Sequence, residues 1–233
     1  MLSLSLNIGL GSPRVRSGFA ITDVSGLQLW LKFNEGQVTL EDGLKWSDSS
    51  GNDNNATQST DDHEGAFASG FYRTDAGAND HLEFTSQIDL TGAYHVFMVI
   101  DLSEQTNETF LSSTNSSTSF MRLGQGSDTT FRIRQNTASN QADITMSAAF
   151  GTDKAIFEVT RDGSNAIRAL KNGAQVGTAS SQAGTFEANQ ISAHSNGLSS
   201  AQIAEVVIFN TILNSATATK VRNDIADRNS LSI

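Results

Sequence analysis

The sequence predicts an all-β fold, a sandwich of two antiparallel sheets, with an N-terminal β-arm and one short C-terminal helix. Three observations carry this. Residues 155–180 hold three strand-like runs separated by Asp162-Gly163-Ser164 and Asn172-Gly173. Asn-Gly between such runs is a strong hairpin signal, because both residues tolerate the positive φ of a type I′ turn, so the segment reads as an antiparallel meander. Composition agrees: only 17% of residues are charged and 7% aromatic, while Ser, Thr, Asn and Gly abound, as suits short strands and many polar turns. Finally, apolar residues alternate with polar ones in several runs, the period of a strand with one buried face.

In chain order, Leu2, Leu4, Leu6, Ile8 and Leu10 alternate with Ser3, Ser5, Asn7 and Gly9, a strand with one greasy face. The run has no basic lead-in and is interrupted by polar residues, so it does not read as a signal peptide. Gly11-Ser12-Pro13 breaks it, and Pro13 is the sole proline. Arg14 and Arg16 against Asp23 give residues 1–24 a net +1, leaving −11 for the remainder of a chain at −10. Such an arm either adds a strand to its own sheet or joins a neighbouring subunit by strand addition.

Leu27, Leu29, Leu31 and Phe33 mark the next strand on one face. A turn-rich stretch from Trp46 to Thr57 follows, then strand candidates at 66–72, 81–85, 94–102, 108–112, 118–124, 129–135 and 141–146. After the meander come 186–193 and the apolar run Ile203–Phe209. Asn214-Ser215 is an N-cap for a helix reaching Asp227, with Ala216, Val221 and Ile225 near helical spacing. With nothing that punctuates the body, residues 1–24 read as an extended arm and 25–233 as one domain.

Several function classes are disfavoured. An acidic chain lacks the clustered Lys and Arg that nucleic-acid phosphates require. No run approaches the ~20 apolar residues of a spanning helix. Cysteine is absent, which removes disulfides, thiolate zinc and cysteine nucleophiles. A retaining glycosidase needs two carboxylates about 5–5.5 Å apart, hence an acidic residue at alternate strand positions. Glu83, Glu158 and Glu205 instead stand alone among apolar residues, and Asp101 and Glu104 lie three apart. His63, His81, His95 and His194 are scattered, no G-x-S-x-G elbow occurs, and Gly124-Gln125-Gly126 is a turn, not a phosphate loop. The chain is therefore expected not to be an enzyme.

The segments 27–36, 46–58, 80–102, 160–177 and 204–214, in this order, resemble the laminin-G-like or concanavalin-A-like family across about residues 24–228. The resemblance implies an antiparallel two-sheet jelly-roll sandwich, a fold shared by glycan-binding modules, glycosidases, adhesion domains and virion surface proteins. It also implies a structural Ca²⁺ between the 48–54 loop and the penultimate strand, with Asp48, Asn52 and Glu205 as ligands by position. This chain departs from the family in two places. Ala204 precedes Glu205 where an Asp is usual, and Lys171 replaces an apolar residue, which places that side chain in solvent.

In overall character, acidic, cysteine-free and carrying a greasy arm, the chain resembles a tailed-bacteriophage capsid decoration (cement) protein. That implies residence on the virion surface, contact with capsid proteins through residues 1–24, and a dimer or trimer with exchanged arms. The alternative is a secreted carbohydrate-binding or host-adhesion module, for which Trp46, Tyr72 and Tyr94 are the candidate aromatic contacts.

Overall fold

Strand alternation and turn chemistry sort the chain into two antiparallel sheets and one helix. The computed structural model describes residues 18–60, 63, 65–74, 80–102, 107–113, 118–179, 181–192 and 201–233. After a 3-10 turn at Ile21–Asp23 come β1 (Leu27–Leu31), β2 (Gln37–Leu40), β3 (Gly43–Trp46), β4 (Ala56–Gln58), β5 (Ala66–Ala68) and β6 (Phe71–Arg73). β7 (His81–Leu90), β8 (Tyr94–Leu102), β9 (Glu108–Ser112), β10 (Phe120–Leu123), β11 (Thr130–Gln135) and β12 (Thr137–Thr145) follow. The chain ends with β13 (Ala155–Arg161), β14 (Ile167–Lys171), β15 (Ala174–Thr178), β16 (Phe186–Ser192), β17 (Ala201–Phe209) and α1 (Ser215–Asn229).

One sheet has eight strands in the order β15-β14-β13-β8-β17-β6-β5, with β1 also paired to β17. The other has nine, β12-β11-β10-β9-β16-β7-β4-β3-β2. Their inner faces form one apolar core that includes Val96, Met98, Phe157, Val206 and Ile208 from the first sheet and Phe110, Phe131, Ile133 and Phe186 from the second. At its centre Phe157 meets Phe131, Phe150 and Phe110 with ring centroids 5.1, 5.2 and 6.0 Å away, mostly edge-on.

The central strands of the eight-stranded sheet are buried on both faces, and this explains their nearly unbroken apolar runs. Their outward residues Phe97, Val99, Ile156, Val207 and Phe209 join Val221, Ile225 and Ala226 of α1 in a second apolar layer. Asn214 caps the helix, its side-chain oxygen accepting from Thr217 N at 2.9 Å. The buried helix face is set by Ala218, Val221 and Ile225; Ala216 is exposed. Phe19, Ile21 and Val24 belong to this layer as well, so residues 19–24 pack with the body rather than with an arm. The alternating run Leu2–Leu10, with Arg14 and Arg16, lies outside the described residues.

The meander is present as expected. Asn172 and Gly173 have φ of 50° and 83°, the left-handed pair of the β14–β15 turn. Asp162 caps the other turn, accepting from the backbone of Ser164 and Ala166. Lys171 does not project freely into solvent: its ammonium lies 4.7 Å from the Phe150 ring and donates to the Phe150 carbonyl.

Other differences have local causes. The run 66–72 is two strands, because Ser69 and Gly70 both take positive φ and reverse the chain. A β-bulge between Leu27 and Leu29 breaks the expected single face: Leu29 and Leu31 enter the main core, while Leu27 and Phe33 pack in the helix layer. The β2–β3 hairpin is an addition to the expected strands, and its sequence signal is Asp42-Gly43. Gly43 is required there, since a Cβ would sit 2.0 Å from the Gln58 carbonyl oxygen.

At Gly173 a Cβ would meet the Arg222 guanidinium at 2.6 Å as well as an adverse φ. Gly173→Ala is therefore expected to destabilise the protein by about 1–3 kcal/mol in urea unfolding. An unchanged midpoint would contradict both the turn and the seat of Arg222.

Candidate functional site

The three aromatics expected at a sugar platform are all inside. Trp46, Tyr72 and Tyr94 are fully buried in the main core, where strand alternation points their side chains inward. Trp46 donates its indole N–H to the Lys32 carbonyl at 3.1 Å and packs edge-on against Phe67. Tyr72 packs edge-on against the same ring. The Tyr94 hydroxyl donates to Gln135 Oε1 at 3.4 Å, and burial pushes its phenol well above the ordinary range, against the opposing pull of Arg161. None of the three can contact a ligand in this fold.

The residues expected to hold Ca²⁺ are committed elsewhere. Asp48 Oδ1 accepts from the backbone N–H of Trp30 (3.0 Å) and Ser50 (2.8 Å), and Oδ2 from Ser50 Oγ (2.7 Å) and Asn54 N (3.0 Å). Both carboxylate oxygens are thus filled by donors that tie the loop to β1. Asn52 donates its amide to the Leu27 and Gln28 carbonyls, each at 3.1 Å. Glu205 lies in the helix layer, accepting from Trp30 Nε1 (2.8 Å), Arg228 Nη2 (2.7 Å) and Asn229 Nδ2 (2.6 Å). A cation site needs oxygens aimed at one point with lone pairs to spare. This donor set does not fit calcium, and among the described residues no group of three or more His, Cys, Asp or Glu forms a metal site.

Glu158 and Glu205, which looked solitary in the sequence, are the two anchors of α1. Arg222 grips Glu158 through Nε (2.6 Å) and Nη2 (2.9 Å), while His95 Nε2 lies 3.3 Å from Glu158 Oε2. Arg228 grips Glu205, pairs with Asp224 on its own helix, and stands 4.8 Å from the Trp30 ring centroid. A bulge between Ile203 and Glu205 turns Glu205 toward the helix layer while Ile203 and Val206 stay in the core. Burial opposes ionisation of Glu158, but Arg222 and His95 together hold it below the ordinary carboxylate range. Burial also depresses His95, outweighing its contact with Glu158, and leaves its buried Nδ1 without a partner.

With a structural account for every one of these residues, the nine-stranded sheet remains. Its inner positions fill the core, and among the described residues no helix or strand packs on its outer face. Register aligns one row of outward residues across eight strands: Lys45, Thr57, Glu83 and Gln190, then Ser112, Phe120, Arg134 and Gln141. Beside it a second row sets Thr109, Arg122, Arg132 and Asp143.

Three guanidiniums meet where these rows adjoin. Arg122 and Arg134 lie 4.6 and 4.9 Å from the Phe120 ring centroid, contacts that orient planar cations. Arg122 and Arg132 are direct cross-strand partners, an arrangement of like charges that weakens a sheet. Arg132 is matched by Asp143 through Nε (2.5 Å) and Nη2 (2.6 Å), which raises its guanidinium and lowers the carboxyl. Arg134 donates to the neutral Gln141 Oε1 at 2.7 Å. Arg122, only 7% exposed, donates to Thr109 Oγ1 and Gln125 Oε1, both at 2.9 Å and both neutral. Burial, then Arg132 and Arg134, push its guanidinium down to about 10. The sequence carries a faint signal for this cluster in Phe131-Arg132-Ile133-Arg134, where arginine takes the outward phase of a strand.

No protein-family model and no curated protein matches the chain. Solved structures do match its fold. The chain is similar to Trypanosoma rangeli sialidase in complex with sialic acid, at TM-score 0.62 and 10% identity over 92% of this chain and 35% of that one. It is similar to the binding domain of botulinum neurotoxin serotype D, at TM-score 0.62 and 11% identity over 87% of this chain and 52% of that one. The binding domain of Paraclostridial Mosquitocidal Protein 1 matches at TM-score 0.59 and 13% identity, again over 87% and 52%. The chain thus spans about a third to a half of the chains it matches. These likenesses establish the fold: an all-β sandwich of two antiparallel sheets, consistent with a concanavalin-A-like jelly roll, closed by a C-terminal helix.

Two outcomes follow from this wiring. Asp48→Ala is expected to lower stability by about 1–3 kcal/mol, since several buried donors lose their acceptor, whereas EDTA leaves the melting temperature unchanged. A fall on chelation would restore the calcium reading. For pH, both His95 and Glu158 bind protons less readily folded than unfolded, so acid favours the unfolded chain. Stability should decline below about pH 6.5 through His95, then further in the carboxylate range through Glu158. Thermal melts of His95→Gln should lose the upper part of that decline.

Proposed function

We propose that the protein is a non-catalytic carbohydrate-binding module whose contact surface is the outer face of the nine-stranded sheet. One observation carries the reading. The outer face of the eight-stranded sheet is covered by α1, while on the opposite face no described element lies over polar side chains that are exposed at Thr57, Glu83, Thr85 and Asp143, the middle of the row at Gln190, Ser112 and Phe120 being buried. Long amide and guanidinium side chains spaced by strand pairing suit the hydroxyl groups of an extended saccharide. The similar structures include binding domains and a sialidase seen with sialic acid, which adds support at the level of fold. Glu158 and Glu205 are buried and each is bonded to an arginine of α1, so neither faces a substrate.

The test is a glycan array followed by titration calorimetry on any hit. Thr57→Arg combined with Glu83→Arg, on adjacent strands in the exposed part of the face, should weaken binding by about tenfold or more, equivalent to about 1.4 kcal/mol. Lys220→Glu, on the exposed side of α1, should leave it unchanged. Absence of any reproducible saccharide ligand would overturn the proposal.

A virion-surface role is the second reading, with a capsid decoration protein joined to shell proteins and to its own copies through residues 1–24. One feature favours it. β2 ends the nine-stranded sheet and exposes Val38 (45%) and Leu40 (50%), an edge to which a strand of matching period from another copy would add. Deleting residues 1–17 should convert a dimer or trimer to a monomer in light scattering and abolish capsid binding. An unchanged mass and unchanged capsid binding would exclude this role and leave the saccharide reading intact.

A further inference from the structure

We propose that Asp101, Gln202 and Arg73, aligned side by side at one end of the outer face of the eight-stranded sheet, form a binding site for the hydroxyl groups of a neutral saccharide. The site lies on the opposite sheet from Thr57 and Glu83 and is independent of the surface that carries them.

Register is the first ground. Asp101 of β8 is the direct cross-strand partner of Gln202 of β17, and Gln202 that of Arg73 of β6. Their chain neighbours Ile100, Ile203 and Tyr72 point into the main core, so strand alternation turns all three polar side chains outward. Two residues along each strand, Val99, Ala204 and Phe71 belong to the helix layer, and the polar row therefore borders that layer. With neighbouring strands about 4.8 Å apart, three strands set the row at about 10 Å, roughly the length of two sugar rings. The row is open to solvent: Arg73 is exposed, and Asp101 and Gln202 are half-buried.

Unused hydrogen-bonding capacity is the second ground. Among the described residues, none forms a hydrogen bond or an ion pair with the side chains of Asp101, Gln202 or Arg73. Lys154, whose charge acts on Asp101, is engaged elsewhere: its ammonium donates to the Asn229 carbonyl at 2.9 Å and lies 4.6 and 5.1 Å from the Phe33 and Phe71 ring centroids. Burial lifts the Asp101 carboxyl above its ordinary range, against the opposing pull of Lys154 and Arg73. A partly buried carboxylate without a donor gains most from a ligand that brings one. Along the row the chemistry passes from an acceptor at Asp101, through an amide that both donates and accepts, to the donor-only guanidinium of Arg73. An anion suited to Arg73 would meet Asp101 and Asp153, and a cation suited to Asp101 would meet Lys154 and Arg73. Hydroxyl groups donate and accept without charge, so they satisfy every position.

The experiment uses maltotriose, cellotriose and mannotriose as neutral probes, with trigalacturonate and the glucosamine trimer as charged counterparts. Isothermal titration reads affinity, and backbone amide shifts read location. At least one neutral trisaccharide should bind, more tightly than either charged trimer, with the largest shifts at Arg73, Asp101 and Gln202. Arg73→Gln and Asp101→Asn should each weaken that binding by about tenfold, and together remove it. Neither should lower the melting temperature, since neither side chain is bonded to the fold. Thr57→Arg with Glu83→Arg, on the other sheet, should leave this binding unchanged. Failure of every neutral probe to bind, equal or tighter binding of a charged trimer, or indifference to both Arg73→Gln and Asp101→Asn would overturn the inference. Shifts confined to the surroundings of Thr57 and Glu83 would overturn it too, while supporting a saccharide surface on the nine-stranded sheet.

Discussion

Two buried carboxylates on the eight-stranded sheet determine where everything around them sits. Glu158 and Glu205 project from β13 and β17 into an otherwise apolar layer, where an unpaired charge would cost several kcal/mol. α1 carries the two arginines that answer them, with Val221 and Ile225 between, so one docking position satisfies both charges and both apolar surfaces. The neighbourhood follows from that position. Gly173 must lack a side chain because Arg222 lies on it, and Trp30 must present its indole N–H because Glu205 needs it. The Asp48 loop then holds β1, and with it Trp30, in place.

This clamp also divides the molecule by role. One outer face is closed and held by its own charges, and that accounts for residues that first look functional: a loop rich in Asp and Asn, two glutamates within apolar strands, and a histidine beside one of them. Each has a structural partner. The polar side chains that stay exposed, such as Thr57 and Glu83, lie on the opposite face, in rows aligned by the register of β3 to β12.

The contrast between the two arginine groups follows from charge matching. Arg222 and Arg228 are partly buried against carboxylates, an arrangement that holds structure together. Arg122 is more deeply buried against neutral oxygens and opposite another cation, which weakens structure. The surrounding core, with Phe157 at its centre among three other rings, supplies the stability that tolerates it.

Much of the fold was legible in the sequence because its signals are local. Asn172-Gly173 specifies a left-handed two-residue turn without help from elsewhere, Asn214 caps the helix that follows it, and the apolar run at Ile203–Phe209 is a strand buried on both faces. Period-2 alternation also placed most strands, though not the break that a bulge introduces after Leu27. The candidate site was far less legible. Whether Tyr94 faces a sugar or the core depends on the sheet packed against it, and whether Glu205 binds a cation or an arginine depends on a helix 23 residues further on. Glu158 meets a partner 64 residues away, and Arg122 opposes Arg132 only because β10 and β11 pair in one register. The sequence by itself determined the all-β class, the meander and the terminal helix, since turn chemistry and side-chain period act over a few residues. Only the tertiary structure decided which charges are answered and which face the described helix covers, because in antiparallel sandwiches those partners are brought together by non-local pairing.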